Sequence, residues 1–208
     1  MDKKMILTIG RQFGCGGREI GQLLAKEFGI TYYDKELLAV AAKESGLCED
    51  VFEKADEHAA SSLSYAFALS YSSFLGGIMP FNDILSNDGL FKIQSDAIRN
   101  LAEKESCVLV GRCADYILRD NPNCFSFFVH GSPEFRIHKI VERQNVTVEE
   151  AKELMEKTDK TRAAYYNYYT NKEWGVASSY NLSIDASILG IEKTVAFMKQ
   201  FVESKINQ

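Results

Sequence analysis

The chain has 208 residues, of which 46% are hydrophobic and 25% are charged, with only three prolines. This length and composition fit one globular domain with a substantial core, and they exclude a disordered or low-complexity protein. The formal net charge of −5 argues against a broad basic surface, so we expect no nucleic-acid partner. Phosphate groups would instead be bound by a few local cations and backbone N–H groups.

The first residues and the cysteines bear on location. An apolar run over residues 5–9 is too short for the apolar region of a secretory signal. The five cysteines are scattered, and none forms a C-x-x-C pair. We interpret them as free thiols, not as disulfides or metal ligands. These features predict a cytoplasmic protein.

The first half of the chain predicts two short strands and two helices. Residues 5–9 are expected to form a buried strand, and residues 17–28 show the apolar spacing of a helix. A second strand is expected over residues 31–33, ending at Asp34, and a helix over residues 35–45 follows.

Residues 46–88 have an irregular apolar pattern that glycine and proline pairs interrupt. Within this segment, residues 59–82 carry no charge and are long enough to span a bilayer, but their many serines keep the hydropathy poor. We therefore predict a buried or interfacial substructure that could join copies of the chain into a homo-oligomer. We predict no membrane span.

The second half of the chain alternates strands with helices. The predicted strands cover residues 107–111, 124–130 and 182–184. The predicted helices cover residues 89–104, 114–118, 133–143, 147–170 and 191–202. Strands that alternate with helices predict an α/β fold, with a parallel five-stranded sheet covered by helices on both faces. Right-handed crossovers place the first strand in the centre, between the strands that begin near Cys107 and Cys124.

A glycine-rich segment, GRQFGCGGREI at residues 10–20, lies between the first strand and the first helix. Glycines allow a tight turn whose N–H groups point at an anion, and the helix dipole adds to the attraction. The alternative is a turn without a ligand, but the strand–loop–helix context favours a phosphate loop. Its candidate residues are Arg11, Gly14, Cys15, Gly16, Gly17, Arg18 and Glu19.

This loop departs from the pattern G-x-x-x-x-G-K-[ST]. Gly17 stands at the lysine position and Arg18 at the hydroxyl position. Arg18 is our first candidate for the replacement cation and Arg11 the second, because guanidinium binds phosphate through two parallel hydrogen bonds. The magnesium-binding hydroxyl has no obvious replacement, although Glu19 is near.

Two further candidates follow predicted strands. Arg112 comes directly after the strand CVLVG, at the sheet edge where ligands bind in open α/β proteins; a surface ion pair with Asp115 is the alternative. Asp34 is a candidate for contact with the acceptor nucleotide or magnesium, and a plain helix N-cap is the alternative.

Arginines recur on the two predicted helices that follow the fourth strand. Arg136 and Arg143 are seven residues apart on one face, and Asp159 and Arg162 are three apart on the next helix. Alone, Asp159 and Arg162 would suggest a surface ion pair, but together the four residues suggest an arginine-bearing lid. We expect Arg143 and Arg162, with Arg18, to offset charge on a transferred phosphoryl group.

These motifs together resemble the nucleoside monophosphate kinases, and most closely the cytidylate kinase-like family. The most specific pieces are IGRQFGCGGREIG, YYDKELL, CVLVGRCADYIL, FFVHGSPEFRIHKI, the D-x-x-R at Asp159–Arg162 and YNLSIDASILGIE. The resemblance implies one P-loop kinase-like domain over residues 1–208. A helical insert at about residues 46–88 would close on the acceptor, and a helical lid at about residues 136–172 would close over ATP.

The resemblance also implies an activity. It implies transfer of the ATP γ-phosphoryl, with Mg²⁺ on ATP, to a nucleoside monophosphate, most specifically CMP or dCMP. Arg112, Asp159 and Arg162 match residues that touch the acceptor, whereas Arg136 and Arg143 match residues at the lid. True cytidylate kinases carry G-K-G-T where this chain has GGRE, and G-R-D where it has GRC. A catalytically silent nucleotide- or phosphometabolite-binding protein, or a kinase of another small metabolite, therefore remains open.

Overall fold

The computed structural model describes residues 4–34 and 87–206. The chain divides into two compact units, Met1–Tyr32 with Glu105–Gln208 as the first and Tyr33–Lys104 as the second. The predicted helix at residues 35–45, nearly all of the segment 46–88 and the uncharged stretch 59–82 lie outside the described residues.

Five strands form a single sheet. They are β1 (Ile6–Arg11), β2 (Thr31–Tyr33), β3 (Cys107–Val110), β4 (Cys124–His130) and β5 (Leu182–Asp185). The strand order is β2–β3–β1–β4–β5, and β1 pairs in parallel with both β3 and β4. β4 also pairs in parallel with β5. The predicted α/β fold, with the first strand central between the strands beginning at Cys107 and Cys124, is confirmed.

The described part of the chain contains six α-helices. They are α1 (Gly17–Phe28), α2 (Asn87–Lys104), α3 (Ala114–Ile117), α4 (Pro133–Gln144), α5 (Val148–Thr170) and α6 (Ala186–Ile206), with a short 3₁₀ turn at Ala177–Ser179. The Ser132 hydroxyl accepts a hydrogen bond from the Phe135 N–H at the start of α4. Thr147 and Glu150 form the predicted capping box at the start of α5.

The last helix differs from its prediction. It begins at Ala186 rather than at residue 191, but Gly190 within it has a non-helical backbone, with φ 74° and ψ 170°. The apolar pattern therefore correctly located the long segment after Gly190. It missed the turn before this glycine, because four residues are too few to show a period.

The core lies on the face of the sheet that α1 and α6 cover. Alternate residues of the central strands point to this face, among them Leu7, Ile9 and Phe127, and they pack with Leu24 of α1 and Met198 of α6. The intervening residues are buried as well, because a parallel sheet is covered on both faces. This burial explains why the strands appear in the sequence as continuous apolar runs.

On the opposite face, Phe128 of β4 packs against two other aromatic rings. Its centroid lies 5.0 Å from that of Tyr180 and 5.2 Å from that of Trp174. In the second unit, α2 buries Ala97, Ile98 and Leu101. None of the helices in the described ranges is long and apolar enough to cross a membrane.

Candidate phosphate-binding site

The glycine-rich loop joins the carboxyl end of β1 to the first turn of α1. Gly14 and Gly16 have φ values of 81° and 82°, a region that side chains other than glycine rarely adopt. A Cβ atom at Gly14 would lie 2.7 Å from the Arg136 carbonyl oxygen, and one at Gly16 would collide with the Ile191 side chain. The fold itself therefore requires glycine at both positions, whether or not a ligand binds.

The loop leaves backbone donors available. Among the residues that the structure describes, the N–H groups of Gly14 and Gly16 donate no hydrogen bond. Cys15 between them points inward, and its thiol donates to the carbonyl oxygens of Gln12 at 3.1 Å and Val129 at 3.3 Å. Burial raises the pKa of this thiol to about 11, so it stays neutral. Cys15 therefore supports the loop, and the glycine amides remain for an anion.

Phe13 anchors the loop to α4 and α5. Its N–H donates to the Asp159 carboxylate at 2.7 Å, and its carbonyl accepts from Nε of Arg136 at 2.7 Å. Arg136 and Asp159 also form an ion pair with each other, and both side chains are largely buried. The Phe13 ring packs against the cluster that contains Ile140 and Met155. Two of the predicted lid residues thus hold the main chain of the phosphate loop.

Three arginines cluster next to this loop. Arg11 is the last residue of β1, and its carbonyl accepts from Nη1 of Arg162 at 3.1 Å. The Arg162 guanidinium also lies 5.5 Å from the centre of the Phe13 ring. Arg112, just past β3, lies 5.8 Å from the centre of the Tyr165 ring. The structure therefore brings together three of the predicted phosphate-binding or acceptor-binding residues.

Among the described residues, the three arginines of this cluster carry more positive charge than the nearby carboxylate of Asp159 can offset. Within residues 4–34 and 87–206, no ion pair involves Arg11, Arg112 or Arg162. Burial, and then the charges of Arg162 and Arg112, lower the pKa of Arg11 to about 10, so it remains protonated at neutral pH. Burial also lowers the pKa of Arg162, and Asp159 opposes this shift. Such a group of cations favours the binding of an anion with several charges.

The backbone after β3 is strained. Arg112 and Cys113 have φ values of 57° and 56°, which are unfavourable for residues other than glycine, and strain of this kind concentrates at functional sites. No ion pair joins Arg112 to Asp115 among the described side chains, and the Asp115 carboxylate accepts from the Tyr166 hydroxyl at 2.7 Å. The alternative in which Arg112 pairs with Asp115 is therefore not observed.

Four further predicted residues lie at helix ends or directly after β2. Arg18 and Glu19 are exposed in the first turn of α1, and Arg143 is exposed in the last turn of α4. No hydrogen bond or ion pair in the described ranges joins Arg143 to the loop. Asp34 is buried directly after β2 and belongs to the second unit.

Two residues outside the predicted set support the loop. Phe13 is one; a large apolar residue inside a glycine-rich segment is the signal that could have pointed to it. Gln12 is the other: its N–H donates to the Val129 carbonyl at 3.0 Å, and its side-chain oxygen accepts from the Gly131 N–H at 3.2 Å. No sequence signal distinguishes this glutamine from one on the surface.

The loop offers hydrogen-bond donors for an anion but lacks the hydroxyl that usually holds magnesium. Arg18 occupies the position of the metal-binding hydroxyl, and the described residues contain no group of three histidine, cysteine, aspartate or glutamate side chains that could hold a metal. Magnesium usually keeps several waters and binds through substrate phosphates with one or two carboxylates. An ion held mainly by substrate phosphates would therefore need at most one or two carboxylates from this chain.

A glycine-rich loop between β1 and α1, with arginines at the carboxyl edge of a parallel sheet, defines a P-loop kinase-like protein. The chain belongs to the cytidylate kinase-like family, whose model matches residues 6–188. No curated protein matches the chain.

The solved structures support the same fold. An uncharacterized protein from Eubacterium ventriosum ATCC 27560 is similar with a TM-score of 0.72 and 28% identity, over 97% of this chain and 99% of that one. A shikimate kinase from Bacteroides thetaiotaomicron has a TM-score of 0.53 and 14% identity, over 96% and 98%. A gluconokinase from Sinorhizobium meliloti 1021 has a TM-score of 0.53 and 12% identity, over 100% and 99%. At these identities the two kinases show a shared fold alone.

Proposed function

We propose that the protein transfers the γ-phosphoryl group of ATP to a small acceptor, and specifically to a nucleoside monophosphate such as CMP or dCMP. The observation that carries this proposal is the arginine cluster of Arg11, Arg112 and Arg162 beside the phosphate loop. Phosphoryl transfer requires positioning and charge stabilisation more than covalent chemistry by the protein, and this cluster supplies both. Membership of the cytidylate kinase-like family favours a nucleotide acceptor.

Each part of the site has a role in the proposed reaction. The amides of the loop and Arg11 bind the donor phosphates, and Arg112 and Arg162 bind the acceptor phosphate. An acceptor oxygen forms the new bond to the γ-phosphorus while the bond to the β,γ-bridging oxygen breaks, and ADP leaves with the electron pair. The cations stabilise the charge that develops on the transferred group and on the leaving oxygen. ATP brings Mg²⁺ on its phosphates, where the ion adds further positive charge.

The same proposal includes small-molecule partners and a cytoplasmic location. Four described cysteines are free thiols, which is typical of a reducing compartment. The uncharged segment 59–82 stays a candidate contact between copies of the chain.

A second candidate function is a protein that binds a nucleotide or a phosphorylated metabolite without turnover. Gly17 in place of the usual lysine favours it, because that lysine normally contacts the β- and γ-phosphates. A kinase of another small metabolite is a third candidate, so acceptors other than nucleotides belong in the test.

The test measures ADP release and product mass with ATP and Mg²⁺ across nucleoside monophosphates, shikimate and gluconate. We expect turnover with CMP or dCMP. We expect Arg112→Ala to raise the acceptor KM by about tenfold or more, the effect of losing a charge-assisted hydrogen bond. Arg119→Ala is the matched control, because Arg119 is exposed, stacks on Tyr116 and pairs with Asp120.

The outcomes separate the candidates. Turnover of a non-nucleotide acceptor alone would replace the acceptor assignment. Nucleotide binding by calorimetry without any turnover would favour the silent binding protein. Absence of both would show that the proposed function is wrong.

A further inference from the structure

The side chain of Arg11 occupies the space that a lysine at residue 17 would need. Gly17 is the first residue of α1 and stands at the lysine position of the loop pattern. A Cβ atom there would lie 2.6 Å from Cβ and 2.9 Å from Cγ of Arg11. The present path of Arg11 and a side chain at residue 17 therefore exclude each other.

Arg11 then extends towards the carboxyl end of β3. Its guanidinium lies against Gly111, where any side chain would collide with Nη1. Gly17 and Gly111 thus leave room for one long side chain that starts from β1 and ends between α1 and β3. The hydrogen bond from Arg162 to the Arg11 carbonyl fixes the backbone from which this side chain starts.

Within the described residues, this guanidinium forms no ion pair with a carboxylate. The positive charges of Arg162 and Arg112 both act on it unfavourably and lower the pKa of Arg11. A partly buried cation beside two others is unfavourable unless an anion joins them. The N–H groups of Gly14 and Gly16 lie in the same loop, and they donate no hydrogen bond to the described residues.

We propose that Arg11 is the fixed cation that contacts the β- and γ-phosphates of the donor, in place of the lysine that Gly17 lacks. This inference rests on the proposed function, and it reverses the preference for Arg18 that the sequence pattern alone suggests. The cation comes from the last residue of β1 rather than from the first turn of α1. Its forked guanidinium binds two phosphate oxygens at once, which a lysine ammonium cannot do.

The test moves the charge from one position to the other. Arg11→Ala should lower kcat/KM by about a hundredfold or more, the scale of one lost charged transition-state contact. Arg11→Gly combined with Gly17→Lys should recover at least about tenfold of that loss, because removing Cβ and Cγ of residue 11 gives the lysine space. Gly17→Lys alone should lower activity, since the two side chains collide. Arg18→Ala should cost less than Arg11→Ala.

A binding measurement keeps the inference separate from turnover. Calorimetry with inorganic tripolyphosphate should show weaker binding by about tenfold or more in Arg11→Ala, recovery in the double variant and no change in Arg119→Ala. If Arg11→Ala fails to fold, Arg11→Met is used instead, because it removes the charge and keeps the aliphatic stem.

Wild-type kcat/KM and tripolyphosphate affinity in Arg11→Met would overturn the inference, as would a larger loss in Arg18→Ala. If tripolyphosphate binding depends on Arg11 but the wild-type protein turns over no acceptor, the assignment of Arg11 stands and the proposed transferase function fails.

Discussion

At the scale of single residues, Asp159 connects the phosphate loop to the rest of the fold. Its carboxylate accepts from the Phe13 N–H and forms an ion pair with Arg136. Arg136 is buried, with only 6% of its surface exposed. Asp159→Ala leaves the buried Arg136 guanidinium without its counterion and the Phe13 N–H without its acceptor. We expect it to lower the free energy of unfolding by about 3–5 kcal/mol, measured by urea denaturation.

Two variants test the origin of that loss. Asp120→Ala breaks an exposed pair with Arg119 and should cost less than about 1 kcal/mol. Replacing both partners, Arg136→Met with Asp159→Ala, removes the unpaired charge and should restore part of the stability. A cost for Asp159→Ala as small as that for Asp120→Ala would contradict the anchoring role.

The buried carboxyl group of Asp115 should make the unfolding free energy depend on pH. Burial raises the pKa of its carboxyl group, and the hydrogen bond from Tyr166 only partly opposes this shift. The folded state therefore holds the proton more tightly than the unfolded state. The contribution of Asp115 to the unfolding free energy is fully present below about pH 4, the usual carboxyl pKa. It is lost as the pH rises through the pKa that Asp115 has in the folded state.

Asp115→Asn removes this titration. The unfolding free energy of the variant, relative to wild type, should increase as the pH rises from about 4, the usual carboxyl pKa, towards neutrality. The exposed Asp120→Asn is the matched control over the same pH series. Parallel curves for Asp115→Asn would show that Asp115 titrates alike in both states.

At the scale of helices and strands, substitutions at two glycines measure the energetic cost of an unfavourable backbone conformation without a steric clash. No atom lies within 4 Å of a Cβ placed at Gly29 or at Gly190, so neither substitution causes a clash. Gly29 ends α1 with φ 63° and ψ 36°, whereas Gly190 interrupts α6 with φ 74° and ψ 170°. The first conformation is open to other residues at moderate cost, and the second belongs almost only to glycine.

We expect Gly29→Ala to lower the unfolding free energy by about 1 kcal/mol and Gly190→Ala by more, within about 1–3 kcal/mol. Chemical denaturation of the two variants against wild type measures both. An equal or smaller loss for Gly190→Ala would mean that α6 straightens through residue 190 without cost.

At the scale of the whole molecule, a polyphosphate ligand should stabilise the fold. Ligand that binds only the folded state at 100 times its Kd adds about 2.7 kcal/mol, or about 5–10 °C in Tm for a chain of this length. We expect this shift with ATP and with tripolyphosphate, measured by thermal denaturation. Adenosine and potassium chloride at matched ionic strength are the controls. An equal shift with adenosine would place the affinity in the base rather than in the arginine cluster.

The sequence by itself determined the sheet and the position of the loop. Apolar runs ending at glycine or aspartate locate β1, β3 and β4 to within two residues, because strands buried on both faces need continuous apolar side chains. The caps at Ser132 and Thr147 fix the starts of α4 and α5, because capping depends on residues three or four positions apart.

Only the tertiary structure decided what the charged side chains do. Asp159 and Phe13 are 146 positions apart, and the pattern D-x-x-R cannot show that the carboxylate binds the loop backbone. Likewise, spacing along the chain favours Arg18 as the replacement cation, because it adjoins the lysine position. The packing of Arg11 between Gly17 and Gly111 depends on how β1, β3 and α1 meet. Long side chains reach across several elements, so their contacts follow from the assembled fold and not from local pattern.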